Sequence, residues 1–332
     1  MSELGPGQRE LRPSDFVVSG PVAHWDGQQA ASAYHEPQLL LEPPSHFRPK
    51  VKRPAILFAL TCLSTFWAGT THWMPAEFMA SLSSARYAVL TQWKDGLIYM
   101  AAVIFILLMH EMGHFLQTVR NRVPATLPFF IPFPFAMTGT MGAVIGMDSS
   151  RGNRKQLFDI GLSGPWAGLI VALPIIWFGI KMAKIVDPVH AAEAFPFGNP
   201  LIFKLLTAYL RPDVKPGMVL DIRNPLLMAG WVGMLITGLN MLPVSQLDGG
   251  HTIYALFGRK ARVIARVFVI SAILFIIIFE QYTWTVMLTL VLLLGIDHPP
   301  TRDDSTPLGP WRYAIGVLSL AIPVFCFTPL IL

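Results

Sequence analysis

Apolar stretches of about 20 residues, the length a helix needs to cross a bilayer, recur along this 332-residue chain. Backbone groups at membrane depth have no water to bond, so every N–H and C=O must find a partner inside the protein. Composition agrees with that setting. Hydrophobic residues make up 53% of the chain and charged residues only 14%, against about 25% charged in a soluble domain. This excludes most soluble enzymes and also a disordered chain, whose bias is the opposite. The formal charge of +5 could point to nucleic acid, but in an apolar chain basic residues mark cytoplasmic membrane edges; no nucleic-acid partner is expected. Cys62 and Cys326 both lie in apolar runs and offer neither a disulfide framework nor a thiolate metal site.

The hydrophobic pattern predicts an all-α polytopic membrane protein of about seven transmembrane helices, near 54–73, 97–119, 158–183, 226–244, 262–280, 282–297 and 312–331. Residues 1–53 read as a mobile, proline-rich tail, ending in the basic cluster Arg48, Lys50, Lys52 and Arg53. Three further segments follow: a first span with its outer loop at 54–96, a core at 97–257, and additional spans at 258–332. Basic residues near the span ends favour an amino end on the cytoplasmic side, in a bacterial cell membrane or an organelle membrane. The loop at 184–225 fits this rule poorly, because it carries Lys184, Lys204, Arg211, Lys215 and Arg223. Trp73, Trp93, Trp284 and Trp311 fall at span ends and are expected at the membrane interface.

Between the second and third spans the pattern changes. Prolines 124, 128, 132 and 134 and glycines 139, 142 and 146 break a helix. Residues Thr138 to Met147 read instead as a glycine-punctuated hairpin of extended chain. Such backbone is tolerated at membrane depth only when it is buried in protein or lines a wet cavity, so a membrane-embedded β-hairpin is expected after the second helix.

The second span contains His110-Glu111-Met112-Gly113-His114. Positions four apart share one helix face, so both imidazoles can reach one Zn²⁺. Glu111, beside the first histidine, is placed to take a proton from an attacking water rather than to bind metal. Ionisable groups inside a spanning helix mark function by default. A catalytic zinc usually has three protein ligands. The best third candidate is Asp248, read here as closing the fourth span, after Asn240-Met241-Leu242-Pro243 and before the pair Gly249-Gly250. His251 is a candidate partner for Asp248, whereas His72, His190 and His298 lack ligand spacing and read as surface or interfacial residues. Gly164 and Gly168 have the small-xxx-small spacing that lets helices pack closely.

These residues resemble the site-2 protease family of intramembrane zinc metalloproteases, peptidase M50-like. His110 to His114 match its helical zinc motif, and Asn240 to Gly249 its Asn-x-x-Pro-x-x-x-Leu-Asp-Gly element. Ser163-Gly164-Pro165-Trp166-Ala167-Gly168 resembles the Gly-Pro-x-Ala-Gly element of its third core span. The likeness covers about residues 97–251. The proline-rich tract before the hairpin resembles the chloroplast and cyanobacterial branch, and no PDZ-like insert is visible in the long outer loop.

The resemblance implies one Zn²⁺ held by His110, His114 and Asp248, with Glu111 as catalytic acid/base. It implies that Asn240 helps hold substrate and that the Gly139 hairpin offers an edge strand to it. The implied partners are a transmembrane protein substrate and the lipid bilayer, and the implied activity is regulated intramembrane proteolysis by a zinc metalloendopeptidase. A membrane metal transporter or sensor using the same His and Asp ligands is the alternative; neither needs a general base at Glu111. A catalytically dead scaffold fits an intact ligand set least well.

Overall fold

A 40-residue helix, α3 (Leu82–Asn121), forms the axis of the computed structural model, which describes residues 51–147, 151–187, 198–293 and 295–326. At 1.5 Å per residue it is about 60 Å long, roughly twice the hydrocarbon thickness. It absorbs most of the loop expected at 74–95, because residues 82–93 contain neither proline nor glycine to stop it. Only Gln92, at φ −115° and ψ 16°, departs from helical geometry. Short α2 (Pro75–Met79) precedes it. The helix ends where Arg122 turns left-handed at φ 55°, two residues before Pro124.

Two long neighbours pack along α3. The first, α1 (Lys52–Thr70), crosses it where Gly69 meets Gly96: a Cβ on Gly69 would stand 2.8 Å from the Gly96 α-carbon. Trp73, just after α1, is buried with its indole N–H donating to the Ile222 carbonyl at 3.0 Å. It is therefore a core residue rather than an interface anchor. The second, α4 (Arg154–Met182), opens with a capping box in which Asn153 and Gln156 satisfy each other's backbone N–H. It runs on through Pro165 and Pro174, as helices at membrane depth can when neighbours compensate the freed carbonyls. Its last carbonyls, Ile180 and Ala183, accept from the Arg211 guanidinium at 3.0 and 2.8 Å. Arg211, one of the basic residues that fitted the charge rule poorly, is thus committed to a helix end.

The hairpin differs from the one expected inside 138–147. Strand β1 (Phe129–Pro132), within the proline-rich tract, pairs antiparallel with β2 (Thr140–Val144). Pro132 is accommodated because the register slips between Phe130 and Pro132, and an irregularity is where a strand tolerates proline. Phe130 is buried and meets Phe58 of α1 edge to face at 5.1 Å. The Tyr99 hydroxyl of α3 donates to the Thr138 carbonyl at 2.8 Å.

The second half departs further from the expected spans. A small pair, β3 (Ile185–Val186) with β4 (Val219–Leu220), brackets α5 (Leu201–Leu210). Helix α6 (Pro225–Asn240) stops after 16 residues. Asp248 does not close that helix; it opens the next, α7 (Asp248–Phe257), which a 3₁₀ turn joins to α8 (Ala261–Ile278). Expected spans near 282–297 and 312–331 correspond to α9 (Thr285–Leu293), then α10 (Pro310–Ser319) and α11 (Ile322–Cys326). Pro323 sits four residues after Ser319 and cannot donate to its carbonyl, which explains the break between the last two.

Among the described residues, three helical stretches are long and apolar enough to cross a membrane: Leu82–Asn121, Arg154–Met182 and Asp248–Ile278. Three shorter apolar helices accompany them, at Leu201–Leu210, Pro225–Asn240 and Pro310–Cys326. The expected tail falls almost wholly outside the described residues. At Gly96 a Cβ would meet Thr70 Cγ2 at 2.5 Å and the Phe66 carbonyl at 2.9 Å. Gly96→Leu is expected to part α1 from α3 and destabilise the fold by about 1–3 kcal/mol, read as a lowered melting temperature in detergent.

Candidate metal centre

Helix periodicity alone brings His110 and His114 onto one face of α3, with ring centroids 5.0 Å apart. Their Nε2 atoms stand 3.2 Å apart. The third group arrives from the start of α7, where a carboxylate also gains from the helix dipole. One Asp248 oxygen lies 3.2 Å from His110 Nε2 and the other 3.3 Å from His114 Nε2. Two ligands of a tetrahedral zinc, each about 2.0–2.1 Å from the ion, stand roughly 3.3 Å from one another. Each nearest pair of donor atoms, with a different Asp248 oxygen facing each imidazole, therefore stands at about that spacing, and two imidazoles with one carboxylate suit zinc chemically. Among the described residues this is the one cluster of three or more metal-binding side chains.

Neighbouring backbone fixes the donors. His114 Nδ1 donates to the Ile160 carbonyl of α4 at 2.7 Å, which leaves the lone pair on Nε2, the atom facing the other ligands. Helix α4 can approach this closely because it has no side chain there. A Cβ on Gly164 would overlap the His114 ring at Nε2, and one on Gly168 would come within 3.1 Å of His110 Nδ1. The small-residue pair read as a packing motif thus accommodates the two imidazoles directly. The carboxylate side has the same logic. A Cβ on Gly249 would overlap the Met241 carbonyl and one on Gly250 the Ser245 carbonyl, so the chain can fold back from α6 into α7 only over glycine.

The triad opens into a cavity of about 260 Å³. Glu111 is buried at 3% exposure and lines it, as do Asn240, Ala143 to Met147, Gly161 and His251. The Asn240 amide lies 3.3 Å from His110 Nε2. Five of the six expected site residues thus share one cavity. Gly139 does not line it. It turns the hairpin at φ 71° against α1, where a Cβ would stand 2.6 Å from the Ser64 carbonyl.

His251 and His298 behave differently from their sequence reading. His251 makes its close contact not with Asp248 but with His298, Nδ1 to Nε2 at 2.6 Å. Their 47-residue separation gave no spacing signal. Gly164→Ala is expected to leave a folded chain with far less than one zinc per molecule, checked by elemental analysis of purified protein.

Comparison with known proteins follows the same residues. The model of "Peptidase family M50" matches residues 98–279, more than half of the chain. The chain is 29% identical over 231 residues to a chloroplastic Arabidopsis thaliana protein named "Probable zinc metalloprotease EGY1", covering 68% of this chain and 42% of that one. Its Oryza sativa subsp. japonica counterpart is 30% identical over 232 residues, covering 69% and 40%. "Probable zinc metalloprotease EGY3, chloroplastic", from Oryza sativa subsp. indica, is 30% identical over 264 residues, covering 71% and 42%. The chain thus spans about two fifths of the length of these curated relatives. No solved structure matches it. With the helical His-Glu-x-x-His turn, the Asp248 element and the glycine face of α4 all inside or bordering one cavity within the matched region, the chain belongs to peptidase family M50.

Proposed function

We propose that this chain is an intramembrane zinc metalloprotease that hydrolyses a peptide bond within or near the transmembrane segment of a membrane-protein substrate. The observation that carries this reading is the buried triad at 3.2–3.3 Å spacing with Glu111 in the same cavity. The similarity to relatives named as zinc metalloproteases supports it.

In this reading His110, His114 and Asp248 hold the metal. When bound there, zinc polarises the scissile carbonyl and makes the attacking water more acidic. Glu111 takes the water proton and passes it to the leaving amine, a role open to a carboxylate that is beside the ligands but not one of them. Asn240 positions the substrate through its amide. A helical substrate hides its peptide bonds in its own hydrogen-bond ladder and must unwind first. Strand β2 belongs to a two-stranded sheet, so its outer edge can pair with the unwound segment, and residues 143–147 continue into the cavity wall. Gly139 serves this edge by allowing the hairpin to turn against α1. The hairpin then sits at membrane depth among about seven spans, with the amino end cytoplasmic.

Glu111→Gln is expected to keep about one zinc per chain and to lower cleavage of a co-expressed membrane substrate by at least about 100-fold. Mass spectrometry of fragments made by wild type but not by the variant gives the readout. Unchanged cleavage would sink the protease reading, and loss of zinc uptake into cells or vesicles instead would favour transport. Gly139→Pro is expected to reduce cleavage while zinc content stays at the wild-type level, because proline cannot adopt φ near 71°. Loss of zinc together with activity would count against the edge-strand role.

A further inference from the structure

Residues 296–304 lie beyond the family-matched region and run across three elements that build the metal centre. The Ser245 N–H, in the turn before Asp248, donates to the Ile296 carbonyl at 3.0 Å. His298 meets His251 of α7 at 2.6 Å and stacks on the Tyr254 ring, with centroids 4.4 Å apart. The Tyr254 hydroxyl in turn donates to Asp304 at 2.8 Å. At the start of α4, the Arg154 N–H donates to the Asp303 carbonyl at 3.1 Å, and the Arg302 N–H to the Gly152 carbonyl at 3.0 Å. The segment thus ties the α6–α7 turn, α7 and the amino end of α4 into one joint.

The joint bears on the ligands through His251. That residue lies one turn after Asp248 on α7, and a Cβ on Gly161 of α4 would stand 2.8 Å from its Cβ. Gly161 follows Ile160, whose carbonyl receives His114 Nδ1. His251 therefore packs where α7, carrying Asp248, meets the part of α4 that orients His114. Its ring has one orientation for a chemical reason. The Pro299 carbonyl can only accept, so His298 Nδ1 donates to it at 2.5 Å. Burial holds the His298 imidazole below its ordinary pKa, so the ring is neutral and its Nε2 is an acceptor. His251 Nδ1 must then donate, which fixes the tautomer of both rings.

We propose that residues 296–304 are a strap that holds the Asp248 helix against α4, and that His298 is the positioning residue through which it sets the metal site. The proposal rests on the reading of His110, His114 and Asp248 as zinc ligands. Partners that orient metal ligands typically change metal affinity 10–100-fold when removed.

Two substitutions separate the bonds of His298. His298→Gln keeps an acceptor near the place of Nε2 and loses the donor to Pro299. His298→Asn keeps a donor near the place of Nδ1 and cannot reach His251. The full chain is purified in detergent, loaded with zinc and titrated with a chelator, and melting temperatures are recorded alongside. The strap predicts that His298→Asn releases zinc at roughly tenfold lower chelator while His298→Gln stays within about twofold of wild type. Zinc retention by His298→Asn equal to wild type overturns it. So does equal loss in both variants accompanied by an equal fall in melting temperature, which would mark His298 as structural only. A wild-type chain that holds no zinc overturns the ligand reading itself, and the strap with it.

Discussion

Three side chains whose nearest electron-pair donors stand 3.2–3.3 Å apart, largely out of water, repel unless something positive lies between them. Much of the surrounding structure serves to hold that arrangement. The Ile160 carbonyl takes one imidazole proton so that the lone pair faces inward. Glycine at 164 and 168 lets α4 lie against both rings, and glycine at 249 and 250 lets the chain reverse tightly enough to bring Asp248 alongside. A cation supplies what these contacts lack, which is charge. Burying a carboxylate beside two imidazoles is costly without a partner, so metal binding and the packing of α3, α4 and α7 are coupled.

Much of this is legible in the residues alone. The His-Glu-x-x-His spacing names its own geometry, since a helix puts positions 110 and 114 on one face whatever else the chain does. Asp248 stood out because a carboxylate flanked by proline and paired glycines in an apolar tract has few structural uses. What the residues do not announce is where one helix stops and the next begins. Apolar character continuing across Met241 to Val244 makes Asp248 look like the close of a span, yet Pro243 and the need to reverse over Gly249 and Gly250 place it at a helix start. The hairpin was misplaced for a related reason. Proline counts against a strand in general, but an irregular register accommodates Pro132, and only pairing partners reveal that.

Long-range pairing was the least legible. His298 has no motif around it, and a histidine beside two prolines reads as loop. Its significance depends on His251, 47 residues earlier, and on a carbonyl that dictates which nitrogen carries the proton. Where each helix stops is hard to read for a different reason. Hydropathy measures how apolar a segment is, not whether its helix continues, and breaks such as the one ahead of Pro323 shorten segments that composition alone would extend.

The brevity of α6 has a consequence for water. Sixteen residues span about 24 Å, less than the roughly 30 Å of a typical hydrocarbon core. None of the residues of this helix is exposed, so what its short length leaves at membrane depth is polar chain enclosed by protein rather than lipid. The carboxyl end of α6 carries Asn240 to the rim of the metal cavity. The proposed hydrolysis consumes a water molecule for every bond broken, and polar chain continuing from Asn240 at that point gives water a path to the cavity that does not run through oil.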